Sequence, residues 1–388
     1  MANYIKMANS VLNLPASFAI GFIVLYVRSV LSVTTIVNVP DSVDGLMLLA
    51  GSIFLLFHCI SNYNIYKGYH IFAIVVLCIG FLSYLRSGET VPFVVVLTVL
   101  AAAVVDDIDN VVRLWLGCTV ALMTFLMALF TIVMIIDPQS IKFVIRLSED
   151  GVSRQRFSFF FSHPNMFGAI VLMACSAFVY LNQNRIGPIH YVFLFCTAGF
   201  VFFASGSRTS SFLIVLLVFI SFLQKSKGIF DSVGVRRLVG ILPIAAFAAI
   251  LLVSGLLYRD SLGSLLTGRV ALWHACFANQ GVSLFGQVFV PSTSVGPNGW
   301  VYYYSTLDCA YAQGLYVLGV AFSLWFSWAV WKCAICETCD SGRVLPALLV
   351  MILFGITEVH IFTFSICYVL LLLGKPLLEK LNKGGLGK

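Results

Sequence analysis

Arg154, Arg156, Arg208 and Arg269, together with His163 and the carboxylates of Asp308 and Glu358, are the side chains of this sequence best suited to chemistry on a phosphorylated substrate. A guanidinium presents a planar fork of donors that matches a phosphate or carboxylate with paired hydrogen bonds, which a lysine point charge does not reproduce. A carboxylate or imidazole beside such a fork can orient a hydroxyl or take its proton. Asn165, Trp273, Tyr311 and His360 accompany these groups at short sequence distances.

The elements that must hold them are membrane helices. Hydrophobic residues make up 60% of the 388 residues and charged residues only 10%, so the chain is stable only where lipid replaces water around most of its surface. Twelve apolar stretches can be drawn, at 16–37, 46–60, 69–85, 91–105, 111–136, 162–181, 189–205, 209–223, 238–257, 305–331, 344–358 and 360–374. The expected fold is an all-α polytopic membrane protein of about 12 transmembrane helices (range 10–12), a single integral domain over 1–388, with both termini in the cytoplasm. The first apolar run is too long for a cleavable signal peptide and is followed at once by another. This orientation leaves 14 of the Lys and Arg residues inside and places Arg86, Lys142, Arg146, Arg154, Arg156, Arg208, Arg259 and Arg269 outside, with Arg28 within the first span. The net charge of +7 is mostly the inner set and points to anionic lipid headgroups rather than nucleic acid.

Two outward loops are long enough to carry function. The loop 137–161 ends in Arg154-Gln155-Arg156 and leads into Ser162-His163-Pro164-Asn165, where Pro164 suits the first turn of a helix and Ser162 or His163 its cap. The loop 258–304 holds Gly268-Arg269 at the expected start of a short interfacial amphipathic helix, an anion seat by its unpaired N–H groups. Arg208 lies in a tight turn between two apolar spans, where a charge is costly unless paired or facing a wet cavity. Asp308 and Glu358 fall near the outer ends of spans, where burial needs an arginine partner.

Other features read more plainly. Trp300 to Tyr304 suits an interfacial aromatic belt. Arg28 either snorkels or approaches a phosphate from within the bundle. Cys333, Cys336 and Cys339 lack a fourth ligand nearby, so no metal is assigned. Asp106-Asp107-Ile108-Asp109 contains an Asp-x-Asp of the kind that binds a metal and a nucleotide sugar, but reads more simply as a solvated turn beside Arg113.

Arg156, then His163-Pro164-Asn165-x-Phe167-Gly168, Ser207-Arg208-Thr209, Gly268-Arg269-x-x-x-Trp273, and Asp308-x-x-Tyr311-x-x-x-Gly314 resemble, in order and spacing, the O-antigen polymerase and ligase superfamily. The run Gly355-Ile356-Thr357-Glu358 is similar to the closing motif of Wzy-type polysaccharide polymerases, and the resemblance covers about residues 150 to 360. Ligases of the superfamily carry a histidine near the start of the tenth span, where this chain has Asp308. The resemblance implies a GT-C-like membrane glycosyltransferase of the bacterial cytoplasmic membrane. Such an enzyme polymerises undecaprenyl-diphosphate-linked repeat units on the extracytoplasmic face, needs no cofactor, and works with membrane lipids, a chain-length regulator and a flippase. It further implies Arg154, Arg156, Asn165, Arg208, Arg269, Trp273, Tyr311 and His360 as substrate-binding residues, and Asp308, Glu358 or His163 as the group that handles the acceptor proton. A ligase moving glycan to another lipid or protein, and a flippase of lipid-linked sugar, are the alternatives.

The cation asymmetry yields a topological prediction. Reporter fusions at about residues 150 and 280 should read outside and those at 230 and 338 inside; an inside reading at 280 would scatter the arginines over both faces.

Overall fold

The computed structural model describes residues 14–62, 70–140, 143–147, 153–259, 269–290, 292–295, 301–304, 307–336, 340–374 and 376–377. Lys142, Gly268, Trp300 and Cys339 lie outside them, as do the side chains of Arg154 and of Tyr302, Tyr303 and Tyr304.

The chain is an all-helical bundle with two small hairpins on its connections. In order it runs α1 (Ala16–Val33), α2 (Asp41–Ser61), α3 (His70–Ser87), α4 (Val91–Ala103), α5 (Ile108–Ile136), β1 (Phe143–Leu147), β2 (Ser153–Phe157), α6 (Pro164–Asn182), α7 (Pro188–Ser205), α8 (Arg208–Lys227) and α9 (Val233–Leu251). There follow α10 (Arg269–Gln280), β3 (Ser292–Val295), β4 (Val301–Tyr304), α11 (Ala310–Gln313), α12 (Val320–Ile335), α13 (Ser341–Gly355) and α14 (Val369–Leu372). Among the described residues eight helices are long and apolar enough to cross a membrane, and three shorter apolar ones accompany them at Val91–Ala103, Val320–Ile335 and Gly342–Gly355.

Burial explains the short ones. Every residue of α4 from Val94 to Ala103 is buried, so its ends need not reach both lipid interfaces. Around this centre α2, α3, α5 and α7 expose Leu49, Ile71, Ile135 and Phe203, the apolar outer surface of a lipid-facing wall. The stretch 360–374, drawn from the sequence as a twelfth span, is not one helix. It folds as a single turn at Val359–Phe362 and another, α14, with Val369 to Leu373 buried inside the bundle. Non-helical backbone at this depth is tolerated because protein rather than lipid surrounds it.

The short helix starting near Gly268 is the one regular element expected in the two long loops, yet each also carries a two-stranded antiparallel hairpin, β1 with β2 and β3 with β4. Arg146 pairs with Arg154 across the first.

Charged groups collect at the two ends of the bundle. At the end opposite the hairpins, Arg343 Nη2 lies 2.7 Å from Asp109 Oδ2, its Nε donates to the Tyr180 carbonyl at 2.9 Å, and the Tyr180 hydroxyl donates to Asp109 Oδ1 at 2.9 Å. This ties the starts of α5 and α13 to the end of α6. The Asp-x-Asp turn is therefore structural rather than simply solvated: Asp107 caps α5 by accepting from the Asp109 N–H, and Asp109 is consumed by Arg343. Arg28 is likewise committed, to Asp44 at 2.6 Å and to Thr90.

Removing one member of a half-buried pair strands the other charge. Arg343→Ala should destabilise the detergent-solubilised protein by about 3 kcal/mol, and Arg343→Met with Asp109→Leu by much less, measured as thermal unfolding. Equal losses in both would show that the pair holds nothing together.

Candidate functional site

The site is built where β2 re-enters the bundle. Phe159 and Phe160 adopt left-handed backbone conformations, φ 49° and 66°, which bulky side chains rarely do. The bend is held by its surroundings: Phe159 packs against Phe130, Phe157, Phe167 and Phe200. The backbone beyond it is stitched to the end of α1, the Thr35 N–H donating to the Phe160 carbonyl at 2.8 Å and the Ser162 N–H to the Val33 carbonyl at 2.9 Å. Strain stored in this way persists only where neighbours over-determine it, and such strain clusters at functional sites.

The bend turns Arg156 inward, leaving it 8% exposed. Its Nε donates to the Ser205 carbonyl at 2.7 Å and its Nη2 to Asn165 Oδ1 at 2.6 Å. The carbonyl is open because α7 ends there on Gly206, in a left-handed conformation with φ 62°. A Cβ on Gly206 would stand 2.9 Å from Arg156 Nε, so glycine is required by both conformation and space.

Asn165 passes the connection onward. Its Nδ2 donates to Glu358 Oε1 at 2.8 Å, across 193 residues of sequence. Glu358 lies three residues beyond the end of α13, and His360 Nε2 stands 3.9 Å from its other oxygen. His163 is the cap of α6 as expected, its Nδ1 accepting from the Asn165 N–H at 3.1 Å. Burial, and after it the Arg156 charge, hold the imidazole below its ordinary value against an opposing pull from Asp308. Glu358 goes the other way: burial pushes its carboxyl up to about 7, Asp308 adds to this, and Arg269, the Asn165 hydrogen bond and Arg156 oppose it.

Arg269 begins α10 and pairs with Asp308, Nε to Oδ2, at 3.6 Å. That is too long for a hydrogen bond, and the Nε, though buried, donates to nothing among the described residues. Trp273, one turn along the same helix face, is buried too, and its Nε1 is equally unpartnered. Two buried donors on one helix face thus have no acceptor among the described residues and are open to one from a ligand. Arg208, the first residue of α8, is exposed and makes no hydrogen bond or ion pair among the described residues. It follows two residues after Gly206, the glycine that packs against Arg156.

The structure thus brings together Arg156, His163, Asn165, Glu358 and His360 by direct contact, joins Asp308 and Arg269 to them electrostatically, and leaves Arg208 exposed. Tyr311, expected to bind substrate, stands elsewhere. It is packed within the bundle, its ring edge-on to Phe247 and its hydroxyl donating to the Ile352 carbonyl at 3.0 Å, so it braces the end of α13 that delivers Glu358. Arg154 is placed only to its position on β2. Sequence reasoning missed Gly206 and the left-handed phenylalanines; the Ser-Gly-Ser before Arg208 was the available signal for the first.

No family model, no curated protein and no solved structure matches this chain.

The glycine requirement can be measured. Gly206→Ala should cost about 1–3 kcal/mol of stability from the forced left-handed conformation and the clash with Arg156. In a double-mutant cycle with Arg156→Ala the losses should be less than additive, because the clash disappears with the guanidinium. Strict additivity would separate the two residues.

Proposed function

We propose that this protein is a membrane glycosyltransferase of GT-C-like architecture that polymerises lipid-diphosphate-linked oligosaccharide repeat units into a surface polysaccharide. The single observation that carries the reading is the pair of buried donors on α10, Arg269 Nε and Trp273 Nε1, which find no hydrogen-bond acceptor among the described residues, with the Glu358 carboxyl, pushed up to about 7, within reach of the Arg269 charge. Buried donors without acceptors among the described residues suit a polyanion such as a diphosphate, and a membrane-embedded bundle suits a ligand whose tail stays in lipid.

In this reading the acceptor hydroxyl attacks the anomeric carbon of the donor sugar. The bond between that carbon and the diphosphate oxygen breaks, the lipid diphosphate leaves with the electron pair, and the hydroxyl proton passes to Glu358. Arg269, Trp273 and Arg208 stabilise the charge that gathers on the leaving group, an interaction stronger in the transition state than before it. Asn165 holds Glu358 in position, and Arg156 holds Asn165. Glu358 is better placed than Asp308 to be the base, since Asp308 is exposed and already faces Arg269, while His163 spends its Nδ1 on capping α6. The donor carries its own leaving group, so neither nucleotide sugar nor metal enters the scheme. The protein would work in the bacterial cytoplasmic membrane with the site facing outward. A ligase would share the donor half of this arrangement and differ in the acceptor.

The test uses purified full-length protein and lipid-linked repeat units extracted from cells in which the gene has been deleted. Polymer should form in EDTA without nucleotide. Arg269→Ala should lower kcat/KM by about 10- to 100-fold, the equivalent of one charge-assisted contact of about 1.5–3 kcal/mol. Because the raised carboxyl of Glu358 is a base only when ionised, activity should be full above pH 7 and fall about tenfold per pH unit below it. Glu358→Gln should abolish turnover. A requirement for nucleotide sugar, or an acid limb near the ordinary carboxylate value, would sink the assignment.

A further inference from the structure

A second cleft opens on the same end of the bundle. It has a volume of about 550 Å³, within the range of about 300–1,000 Å³ typical of small-ligand sites, and lies between the end of α1, the start of α2, the turn before α4 and the segment Phe362 to Phe364. That segment belongs to the connection that carries Glu358 and His360. Thr363 follows Glu358 by five residues, so the two walls are within about 17 Å along the chain.

The cleft differs from the arginine site in charge and in chemistry. Its one cation, Arg28, is neutralised by Asp44 at 2.6 Å, while Asp41 and Glu89 are exposed and make no ion pair or side-chain hydrogen bond among the described residues. The remaining polar wall is made of hydroxyls and an amide, Ser32, Thr363 and Asn38 among them, with valines between. Unpaired carboxylates repel a phosphate, so a second diphosphate is excluded. Carboxylates accept hydrogen bonds from adjacent hydroxyls, and neutral hydroxyl and amide groups both donate and accept; that donor and acceptor mixture matches a polyhydroxylated, uncharged ligand. No group of acids among the described residues is arranged to hold a metal ion.

We infer that this cleft is the seat of the acceptor glycan, binding its sugar rings free of phosphate and presenting a terminal hydroxyl toward Glu358. The inference rests on the glycosyltransferase reading and adds to it a division of labour: the arginine site holds the diphosphate of the donor, and the acidic cleft holds the sugars of the acceptor. The Phe362 to Phe364 wall couples the two, because it continues the connection on which the proposed base is mounted.

The experiment uses full-length protein in nanodiscs and, as ligand, the phosphate-free oligosaccharide released by mild acid from the lipid-linked units. Saturation-transfer NMR should detect binding to the unaltered protein. Asp41→Asn combined with Glu89→Gln, and separately Ser32→Trp, which fills the cleft, should each weaken binding at least tenfold, whereas Arg269→Ala should change it less than twofold. Both cleft variants should still protect lipid diphosphate lacking sugar from phosphatase, a readout of the arginine site alone. Undiminished oligosaccharide binding in both cleft variants, absence of binding to the unaltered protein, or loss in Arg269→Ala would overturn the subsite. Stoichiometric calcium binding lost in the Asp41 and Glu89 variant, with oligosaccharide binding intact, would overturn it as well by making the cleft a cation site. Failure of the glycosyltransferase reading is told apart by turnover of the lipid-linked units, which that reading requires in the unaltered protein whatever the cleft does.

Discussion

The buried guanidinium of Arg156 is the interaction on which the site depends. It reaches the Ser205 carbonyl at the end of α7 and the Asn165 amide at the start of α6, and through Asn165 it positions Glu358 beyond α13. Three helix ends far apart in sequence are thereby fixed to one charged group. A buried cation is costly unless its hydrogen bonds are satisfied, and here a carbonyl and an amide oxygen accept two of them. The guanidinium charge acts on both His163 and Glu358.

The membrane setting explains why charges occupy only the ends. In hydrocarbon every backbone group must be paired internally, which favours helices, and every charge must be paired or reach a polar region. The Arg343, Asp109 and Tyr180 cluster meets this demand at one end by closing completely on itself. At the other end closure is incomplete: Arg269 Nε and Trp273 Nε1 lack acceptors and Arg208 has no partner among the described residues. The contrast between a saturated cluster and an unsaturated one separates a structural role from the proposed ligand-binding one more sharply than residue type does, since both contain arginine and aspartate.

Much of this was legible in the sequence, for physical reasons that can be named. Long apolar runs specify lipid-facing helices, Pro164 after a polar pair specifies the start of α6 with His163 at its cap, and Arg269 heads the expected short helix. Tertiary placement was not legible. The stretch 360–374 has the composition of a span, but Phe364 to Leu373 is buried and α14 packs beside α4, where protein contacts replace the helical hydrogen bonds that lipid would demand. Tyr311 has a polar tip like a ligand-binding tyrosine, yet that tip is spent on the Ile352 carbonyl. Arg28 looked as available as Arg208 until the fold set Asp44 against it. In each case the deciding fact is a partner contributed from a distant segment, which local pattern does not encode.

Glu358 shows how these constraints become chemistry. A carboxyl near a guanidinium ordinarily ionises more readily, but here desolvation and the Asp308 charge outweigh Arg269, Asn165 and Arg156 and leave it close to neutrality. The balance has a functional consequence. A fully ionised carboxylate at its ordinary value is too weak a base to take a sugar hydroxyl proton, whereas one lifted toward 7 is both a stronger base and still substantially ionised at neutral pH. Arrival of a diphosphate at Arg269 would withdraw part of the positive charge that now opposes the lift. In the proposed function, donor binding would therefore raise the basicity of Glu358, so that the proposed base is strengthened when the leaving group is in place.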